Sequence, residues 1–485
     1  MTRPARDDGP LDSSDRDRGR PAGSLSPASP ASRRRLDRSI LGLALPALGA
    51  LVAEPLLVLV DSAMVGHLGA TSLAGLSLAS TVLTTLVGLF VFLAYATTAT
   101  TARLFGAGDR AGGLRAGIDG LWLALLLGSG TAILLGAGGP WLVEALGARG
   151  TVADAATAYL RASAPGLPGM LAVLASTGTL RGLLDTRTPF IVATTGAALN
   201  AGLNAVLLYG VGMGIAGSGL GTALAQTAMA LALARPIVRA ARAAGVPLRP
   251  HRAGLGTSLG AGLPLFVRTV SLRAAILLTV WAATALGEAP LAAHQVVNSL
   301  WAFAAFALDA LAVAAQALIG TALGQADAAD SAGEASAPPG AGDAPPLAAG
   351  AVVRRTVTWG ALTGAILGAA MAAASPWLPR LFTSDAGVVG LATPVLLVTA
   401  SAMPLAGVVY LLDGVLMGAG EGRYLARAGA LTLLAYAPLA VAVGHLGAAS
   451  RLGDHGLELL WLAFAWVFMG TRAATTAPRA RAWLA

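Results

Sequence analysis

One apolar unit occurs twice in this chain. Residues 45–69 and 263–287 both begin with Leu-Pro and end with Leu-Gly, at an ungapped offset of 218 residues. Further along, the offset becomes 236, so that Pro168 matches Pro404. A polar stretch rich in alanine, proline, glycine and aspartate, around 328–347, contains the extra residues. Two copies of an apolar unit joined by a polar loop predict a transporter in which two bundles rock around a shared cavity.

The composition indicates a membrane protein. Of 485 residues, 56% are hydrophobic and 12% are charged, whereas soluble chains carry about 25% charged residues. Runs of about 20 apolar residues can cross the hydrocarbon layer as helices. We expect twelve such spans, at residues 40–66, 73–102, 116–139, 157–182, 189–210, 215–239, 258–286, 290–323, 352–375, 388–418, 424–445 and 456–474. The alternating segments of a membrane β-barrel are not found, so the predicted fold class is all-α.

The basic residues predict the orientation. All 32 are arginines, and 26 of them cluster around one set of span ends, with four at the other. By the positive-inside rule, we expect a multi-pass protein of the cell membrane with both termini in the cytoplasm. Each six-span half then has the same orientation, which makes the halves parallel repeats. The net charge of +8 therefore reflects topology, and we expect no nucleic-acid partner.

The same patterns predict the domain organisation. The predicted units are a disordered cytoplasmic tail at 1–35, an N-lobe at 36–240, a cytoplasmic loop at 241–257, a C-lobe at 258–475 with a disordered insertion at 326–350, and a second cytoplasmic tail at 476–485. The first tail is polar and rich in proline and serine, a composition that cannot bury an apolar core.

The first span carries the strongest candidate site. An ionisable group at mid-membrane costs at least about 2.5–3.5 kcal/mol, so each one requires a reason. Glu54 and Asp61 are seven residues apart, close to two helical turns, and therefore share a face. Pro46 and Pro55 each remove a helix hydrogen bond and favour a bend. A bendable helix with a titrating carboxylate suits a proton-driven switch, although pairing with polar neighbours or snorkelling would also explain these acids.

Two further polar groups have open roles. Asn200 and Asn204 share a face of span 5. Their amides could bind a carboxylate or a ligand, or join helices at about 0.6 kcal/mol each. In the second half we predict a C-lobe polar cluster of Arg268, Arg273, Asp309, Asp413, His294 and Asn298. The arginines could neutralise the two aspartates, either as a structural ion cluster or as a binding site. For the histidine and asparagine of span 8, packing is favoured over ligand binding.

Several segments resemble one family. The segment EPLLVLVDSAMVGHLGATSLAG, which follows Pro46, resembles the opening of the multidrug and toxic compound extrusion (MATE) family. Pro46 and Asp61 match the family's bending proline and proton-carrying aspartate, and NAGLN with GIAGSGLGTALAQ matches its span 5 to span 6 signature. The segments LPLFVRTVSLR, LAAHQVV and YLLDGVLMGAGEGR are similar to the DinF-like branch.

The resemblance implies two six-helix lobes that form a V around a central cleft. It also implies a monomer in the bilayer that exports cationic or amphipathic compounds in exchange for H+ or, less favoured, Na+, with no other cofactor and no enzymatic activity. One position departs from the family pattern. Asn204 stands where many relatives carry a second acid, which leaves Asp61 as the main titrating group of the N-lobe.

A mechanism follows as a hypothesis. With Asp61 deprotonated, the pocket of Glu54, Asp61, Asn200 and Asn204 holds a cationic substrate. Protonation then bends span 1 at Pro46 and expels the substrate. The alternative is a flippase for lipid-linked precursors from the same superfamily, which would need several arginines in its cleft. An intramembrane enzyme would need DDxxD-type Mg2+ ligands, and the sequence has none.

Overall fold

The computed structural model describes residues 30–332, 348–449 and 451–483, and within these ranges it contains helices and no strand. The helices are α1 (Pro30–Gly66), α2 (Ala70–Leu89), α3 (Phe92–Gly106), α4 (Arg110–Ala145), α5 (Gly150–Ser163), α6 (Leu167–Gly182), α7 (Arg187–Asn204), α8 (Ile215–Ala243), α9 (Arg252–Ala285), α10 (Glu288–Ala332), α11 (Ala349–Ala374), α12 (Ala386–Gly418), α13 (Gly422–Ala448), α14 (Gly456–Leu462) and α15 (Met469–Arg481). A π-helical turn continues α7 over Ala205–Gly210, and another joins α14 to α15 over Ala463–Phe468.

The helices form twelve spans. Eleven helical segments of the described chain are long and apolar enough to cross a membrane, and one of them consists of α2 and α3 together. The twelfth consists of α5 and α6, which a short 3-10 turn at Ala164–Gly166 separates. Pro165 and Pro168 lie at this break, where each removes a backbone N–H donor and prevents a regular α-helix. The predicted all-α fold with twelve spans is confirmed.

The spans form two lobes, α1–α8 and α9–α15. In the first lobe α1 packs against α7, and in the second the equivalent helices α9 and α13 pack against each other. The lobes cross where α3 meets α10. A Cβ atom on Gly106 would collide with the backbone of Thr321, and one on Gly324 would collide with the backbone of Arg103. Because these two pairs exchange at the 218-residue offset, the contact is reciprocal and a pseudo-twofold axis passes between the lobes.

Contacts between the lobes run from one end of the bundle, which we call the terminal end because α1 begins and α15 ends there, to its middle, where Ala47 packs with Ala310. Apolar side chains of α1, such as Ile40, pack on α10 and α11 in this half. Two ion pairs also join the lobes: Arg103 with Asp327 at 2.7 Å, and Asp37 with Arg355 at 2.5 Å. We call the opposite end, where α1 reaches Gly66, the open end.

Several helices are longer than the sequence predicted. The predicted tail at 1–35 was wrong at its boundary, because α1 begins at Pro30. The predicted insertion at 326–350 was also too wide, because α10 runs to Ala332 and α11 begins at Ala349. The added turns of these helices are polar and lie at the terminal end, where the ion pairs of Asp327 with Arg103 and of Asp37 with Arg355 hold the helices against the other lobe. Residues 1–29, 333–347, 450 and 484–485 lie outside the described residues.

The other boundaries shift as well. The predicted loop at 241–257 shrinks to 244–251, since α8 and α9 extend beyond the apolar runs. The predicted tail at 476–485 is helical as far as Arg481. In α1, the helix is continuous through both Pro46 and Pro55.

Candidate functional site

A cavity of about 280 Å³ lies between the lobes. Most of its wall comes from the N-lobe, and α10 and α12 of the C-lobe complete it. Its lining is largely apolar, with a few polar or charged side chains: Glu54, Asp61, Ser62, Ser80, Thr84, Tyr95, Tyr159, Thr177, Arg181, Thr222, Gln226, Asp309 and Gln316. An apolar pocket with a few convergent polar groups is typical of a site for small organic molecules.

Asp61 lies at the centre of a hydrogen-bond network in the N-lobe. Its side chain is buried, and its Oδ1 accepts a hydrogen bond of 2.6 Å from Asn204 Nδ2. Asn204 Nδ2 also lies 3.3 Å from Asn200 Oδ1, and Asn200 Nδ2 donates to Thr222 Oγ1 at 3.2 Å. The structure thus joins three of the four N-lobe pocket residues that the sequence singled out. Thr222, with the Tyr159 hydroxyl 3.5 Å away, extends the network.

The backbone next to this network is irregular. The π-helical turn at Ala205–Gly210 begins directly after Asn204. Tyr209 in this turn donates to the carbonyl oxygen of Met64 at 2.6 Å, which fastens the turn to the end of α1. Single π turns are often found at functional sites, because they reorient the side chains beside them. Here the turn follows the residue that binds Asp61.

Asn204 retains an unused acceptor. Its Oδ1 is buried and has no hydrogen-bond partner within the described residues. A carboxamide carries both donors and an acceptor and can rotate to exchange them. Asn204 can therefore donate a hydrogen bond to an ionised Asp61, or accept one from a protonated Asp61, with little change of packing.

Glu54 faces the cavity two turns from Asp61 on α1, as predicted. Arg273 of α9 interacts electrostatically with Glu54, and its guanidinium lies next to Gly88 of α2. The prediction that Arg273 neutralises Asp309 or Asp413 was therefore wrong. Five residues separate it from Arg268, a rotation of about 140° around the helix, so the two arginines point to different partners.

The C-lobe contains a compact ion cluster around Asp413. Arg268 Nη2 lies 2.5 Å from Asp413 Oδ2, and Arg472 of α15 binds the same oxygen. The guanidinium of Arg472 also stacks on Tyr410, 5.4 Å from the ring centroid. All three charged side chains are buried. Sequence reasoning missed Arg472 because it was counted with the loop arginines, although it lies inside the predicted span at 456–474.

Asp309 of α10 lies between this cluster and the cavity. It lines the cavity and interacts electrostatically with Arg268, Arg472 and Arg181. Arg181, near the end of α6, is also buried and lines the cavity. Its position at a span end was interpreted as topological, and no other sequence signal marks it.

His294 and Asn298 do not belong to the C-lobe polar cluster, which corrects the prediction. His294 lies 15 residues before Asp309 on α10, or about 22 Å along a helix. It is buried, and its Nδ1 accepts a hydrogen bond of 3.2 Å from Trp461 Nε1. Asn298 lies one turn closer to Asp309 and is partly buried. The structure thus places His294 in an aromatic core.

Comparison with known proteins gives the family. The MatE profile matches residues 46–206 and 340–442, together more than half of the chain. The chain belongs to the MatE family. It is 28% identical over 404 residues to the chloroplastic protein DETOXIFICATION 44 of Arabidopsis thaliana, covering 81% of this chain and 74% of that protein. It is also 28% identical over 296 residues to the DNA damage-inducible protein F of Escherichia coli, covering 60% of this chain and 64% of the relative.

Solved structures share the fold. A MATE structure in the bent conformation superposes with a TM-score of 0.80 at 21% identity, covering 93% of this chain and 97% of that chain. The Vibrio cholerae MATE transporter VcmN in its bent form also gives 0.80, at 19% identity, covering 94% and 98%. A MOP superfamily transporter from Pyrococcus furiosus gives 0.77 at 21% identity, covering 92% and 96%. This MatE chain is therefore a multi-pass membrane transporter with a two-lobe MATE fold.

Proposed function

We propose that this transporter exports cationic or amphipathic organic compounds in exchange for protons, and that Asp61 is the group that exchanges them. The observation that carries the proposal is a buried carboxylate bound to Asn204 on the wall of a cavity between two duplicated lobes. An ionisable acid inside the membrane is costly, so its presence beside a cavity favours a role in transport. The relatives include probable multidrug resistance proteins named NorM, one of them from Chromobacterium violaceum.

The chemistry of the network supports coupling. An ionised Asp61 accepts from Asn204 and, together with Glu54, makes the cavity wall attractive to a cation. A proton on Asp61 removes that charge, and Asn204 can then turn its free Oδ1 toward the new donor. Proton binding and cation binding therefore compete for one carboxylate, which is the requirement for exchange. Na+ is the less favoured coupling ion, because an amide replaces the second carboxylate at position 204.

The orientation is part of the proposal. If the arginine-rich ends face the cytoplasm, both termini are cytoplasmic, the terminal end is the inner end, and the open end faces outward. The cell membrane and a monomeric state complete this proposal. A flippase for lipid-linked precursors is less well supported, because Arg181 is the one arginine among the described residues that line the cavity.

Proteoliposomes test the coupling. We expect wild-type protein to move a cationic dye against its gradient when a pH gradient is imposed, and not when a sodium gradient of the same size is imposed. Asp61→Asn should lower the rate of proton-driven transport at least about ten-fold, because the amide cannot take up a proton. Loss of a positioned proton-transfer group typically lowers a rate by about 10²-fold or more. The matched control is Asp154→Asn, on the exposed surface of α5. Undiminished transport by a well-folded Asp61→Asn variant would disprove the role of Asp61.

A further inference from the structure

The buried charges at the floor of the cavity do not balance. Asp413 is bound by Arg268 and Arg472, and Asp309 interacts electrostatically with both arginines. These four residues form a neutral set of two carboxylates and two guanidiniums. Arg181 adds a third guanidinium, and arginine stays protonated in proteins. One positive charge is therefore left without a carboxylate of its own among the described residues that surround the floor.

The side chain of Arg181 is also incompletely bonded. It is 8% exposed, and its Nε atom is buried without a hydrogen-bond partner in the described part of the chain. Tyr95 and Asp309 interact with it electrostatically, but no carboxylate oxygen of the described residues forms a salt bridge with it. A buried guanidinium without a bonded anion is costly. Its place in the cavity wall means that a bound molecule could supply the missing acceptor.

Arg181 and Asp61 lie toward opposite ends of the cavity. Asp61 is five residues from the open end of α1, whereas Arg181 is one residue from the terminal end of α6. Glycines set this position, since a Cβ atom on Gly178 or Gly182 would collide with α3. The close contact of α6 with α3 fixes the guanidinium at the floor. The cavity thus presents the Asp61 carboxylate on its N-lobe wall toward the open end, and the Arg181 guanidinium beside Asp309 at its floor.

We infer that Arg181 is a binding residue for an anionic group of the substrate, and that the preferred substrates are zwitterions with a cationic group and a carboxylate. The inference rests on the proposed export function and specifies its substrate class. The cationic group would face Glu54 and Asp61, and the carboxylate would accept hydrogen bonds from the planar guanidinium, which matches its geometry. A purely cationic compound would leave Arg181 unpaired.

A pair of dyes that differ in one group tests this inference. Tetramethylrhodamine carries a free carboxylate, and its methyl ester is a cation of nearly the same shape. Binding to the purified full-length protein in detergent is measured by fluorescence anisotropy. We expect the wild type to bind the acid about ten-fold more tightly than the ester. Arg181→Gln should weaken binding of the acid by that factor and change binding of the ester less than two-fold. The matched control is Arg187→Gln, which changes an exposed arginine at the start of α7.

The outcomes separate the two proposals. Equal affinity of the wild type for acid and ester overturns the zwitterion inference and leaves the export function standing. Equal weakening of both dyes by Arg181→Gln assigns Arg181 a structural role and also overturns it. If neither dye binds or is transported by the wild type, the export function itself fails. If Arg181→Gln does not fold, Arg181→Lys keeps the charge without the planar fork, and it should reduce the preference for the acid several-fold with the ester unaffected.

Discussion

The two lobes have one backbone plan but differ in what fills their centres. At the offsets of the repeat, Asp61 corresponds to Thr279 and Asn200 corresponds to Tyr436. Each pair lies between equivalent helices, α1 with α7 and α9 with α13. In the C-lobe, the Thr279 hydroxyl lies 2.6 Å from the Tyr436 hydroxyl. A neutral hydrogen bond thus stands where the N-lobe has a carboxylate in an amide network.

Aromatic rings fill the space around Tyr436. Phe464 and Phe468 stack with ring centroids 5.0 Å apart, and Trp301 and Trp461 pack against Phe464. The N-lobe wall of the cavity has smaller aliphatic and hydroxyl side chains instead. The two lobes thus share one arrangement of helices but differ in side chains. The centre of the N-lobe is polar and borders a cavity, whereas the centre of the C-lobe is filled by aromatic rings. Of the two centres, the N-lobe centre borders the cavity and can exchange ions with it.

The largest expected effect comes from exchanging these centres. Thr279→Asp would bury a carboxylate among aromatic rings, and we expect a loss of several kcal/mol in the free energy of unfolding, since an unpaired buried charge costs that much. Asp61→Thr should leave stability within about 1 kcal/mol and abolish proton-driven transport. Thermal unfolding in detergent and transport in proteoliposomes measure the two effects. If Thr279→Asp is as stable as the wild type, the C-lobe centre is not solid and the comparison fails.

A smaller effect on stability is expected at the ion cluster of the C-lobe. Asp413→Asn leaves two buried guanidiniums without their shared anion, and should cost about 3–5 kcal/mol. The double variant Asp413→Asn with Arg472→Met should recover part of this loss, because one of the stranded charges is gone. Thermal unfolding of the single and double variants gives the answer. An Asp413→Asn protein with an unchanged melting temperature would contradict a structural role for the cluster.

The smallest effect is expected where the lobes meet. The pair of Arg103 and Asp327 is about half exposed, so its loss should cost no more than about 1 kcal/mol. Arg103→Gln should therefore shift the balance between open and closed terminal ends by less than about five-fold. The charge-reversed double variant, Arg103→Asp with Asp327→Arg, should restore the balance. Distances between spin labels on the two lobes report it, and no shift in the single variant would mean that the apolar contacts alone hold this end closed.

Much of the fold follows from the sequence, because span length and repetition are set by the bilayer and by duplication. The two offsets of the repeat and the apolar runs predict twelve spans in two equivalent lobes. The contact of Asp61 with Asn204 agrees with the i, i+4 spacing of the amides and the cost of a lone buried acid. The break in the fourth span lies at Pro165 and Pro168. The hydropathy pattern alone does not predict this break.

The charged residues were harder to place. Arg181 and Arg472 lie near span ends, where arginines most often mark topology, and burial depends on neighbouring helices that the sequence does not specify. Arg273 could have been separated from Arg268 by helical geometry, since a spacing of five residues turns side chains to different faces. The rise of an α-helix over the 15 residues between His294 and Asp309 would have shown that the two side chains are too far apart to form one cluster. Pairing across lobes depends on tertiary contacts alone.

The reciprocal crossing of α3 and α10 has a consequence for motion. At Gly106 and Gly324 the two helices meet backbone to backbone, with no room for a side chain at either of these two positions. We expect such a contact to permit rotation of one lobe against the other, because no interlocked side chains at these glycines would have to separate. Sliding of one helix along the other would bring main-chain atoms into collision. Each lobe presents an equivalent glycine surface to the other, so the contact is symmetric about the axis between them. A methyl group at either glycine would collide with the backbone of the other lobe, and we expect it to prevent this rotation.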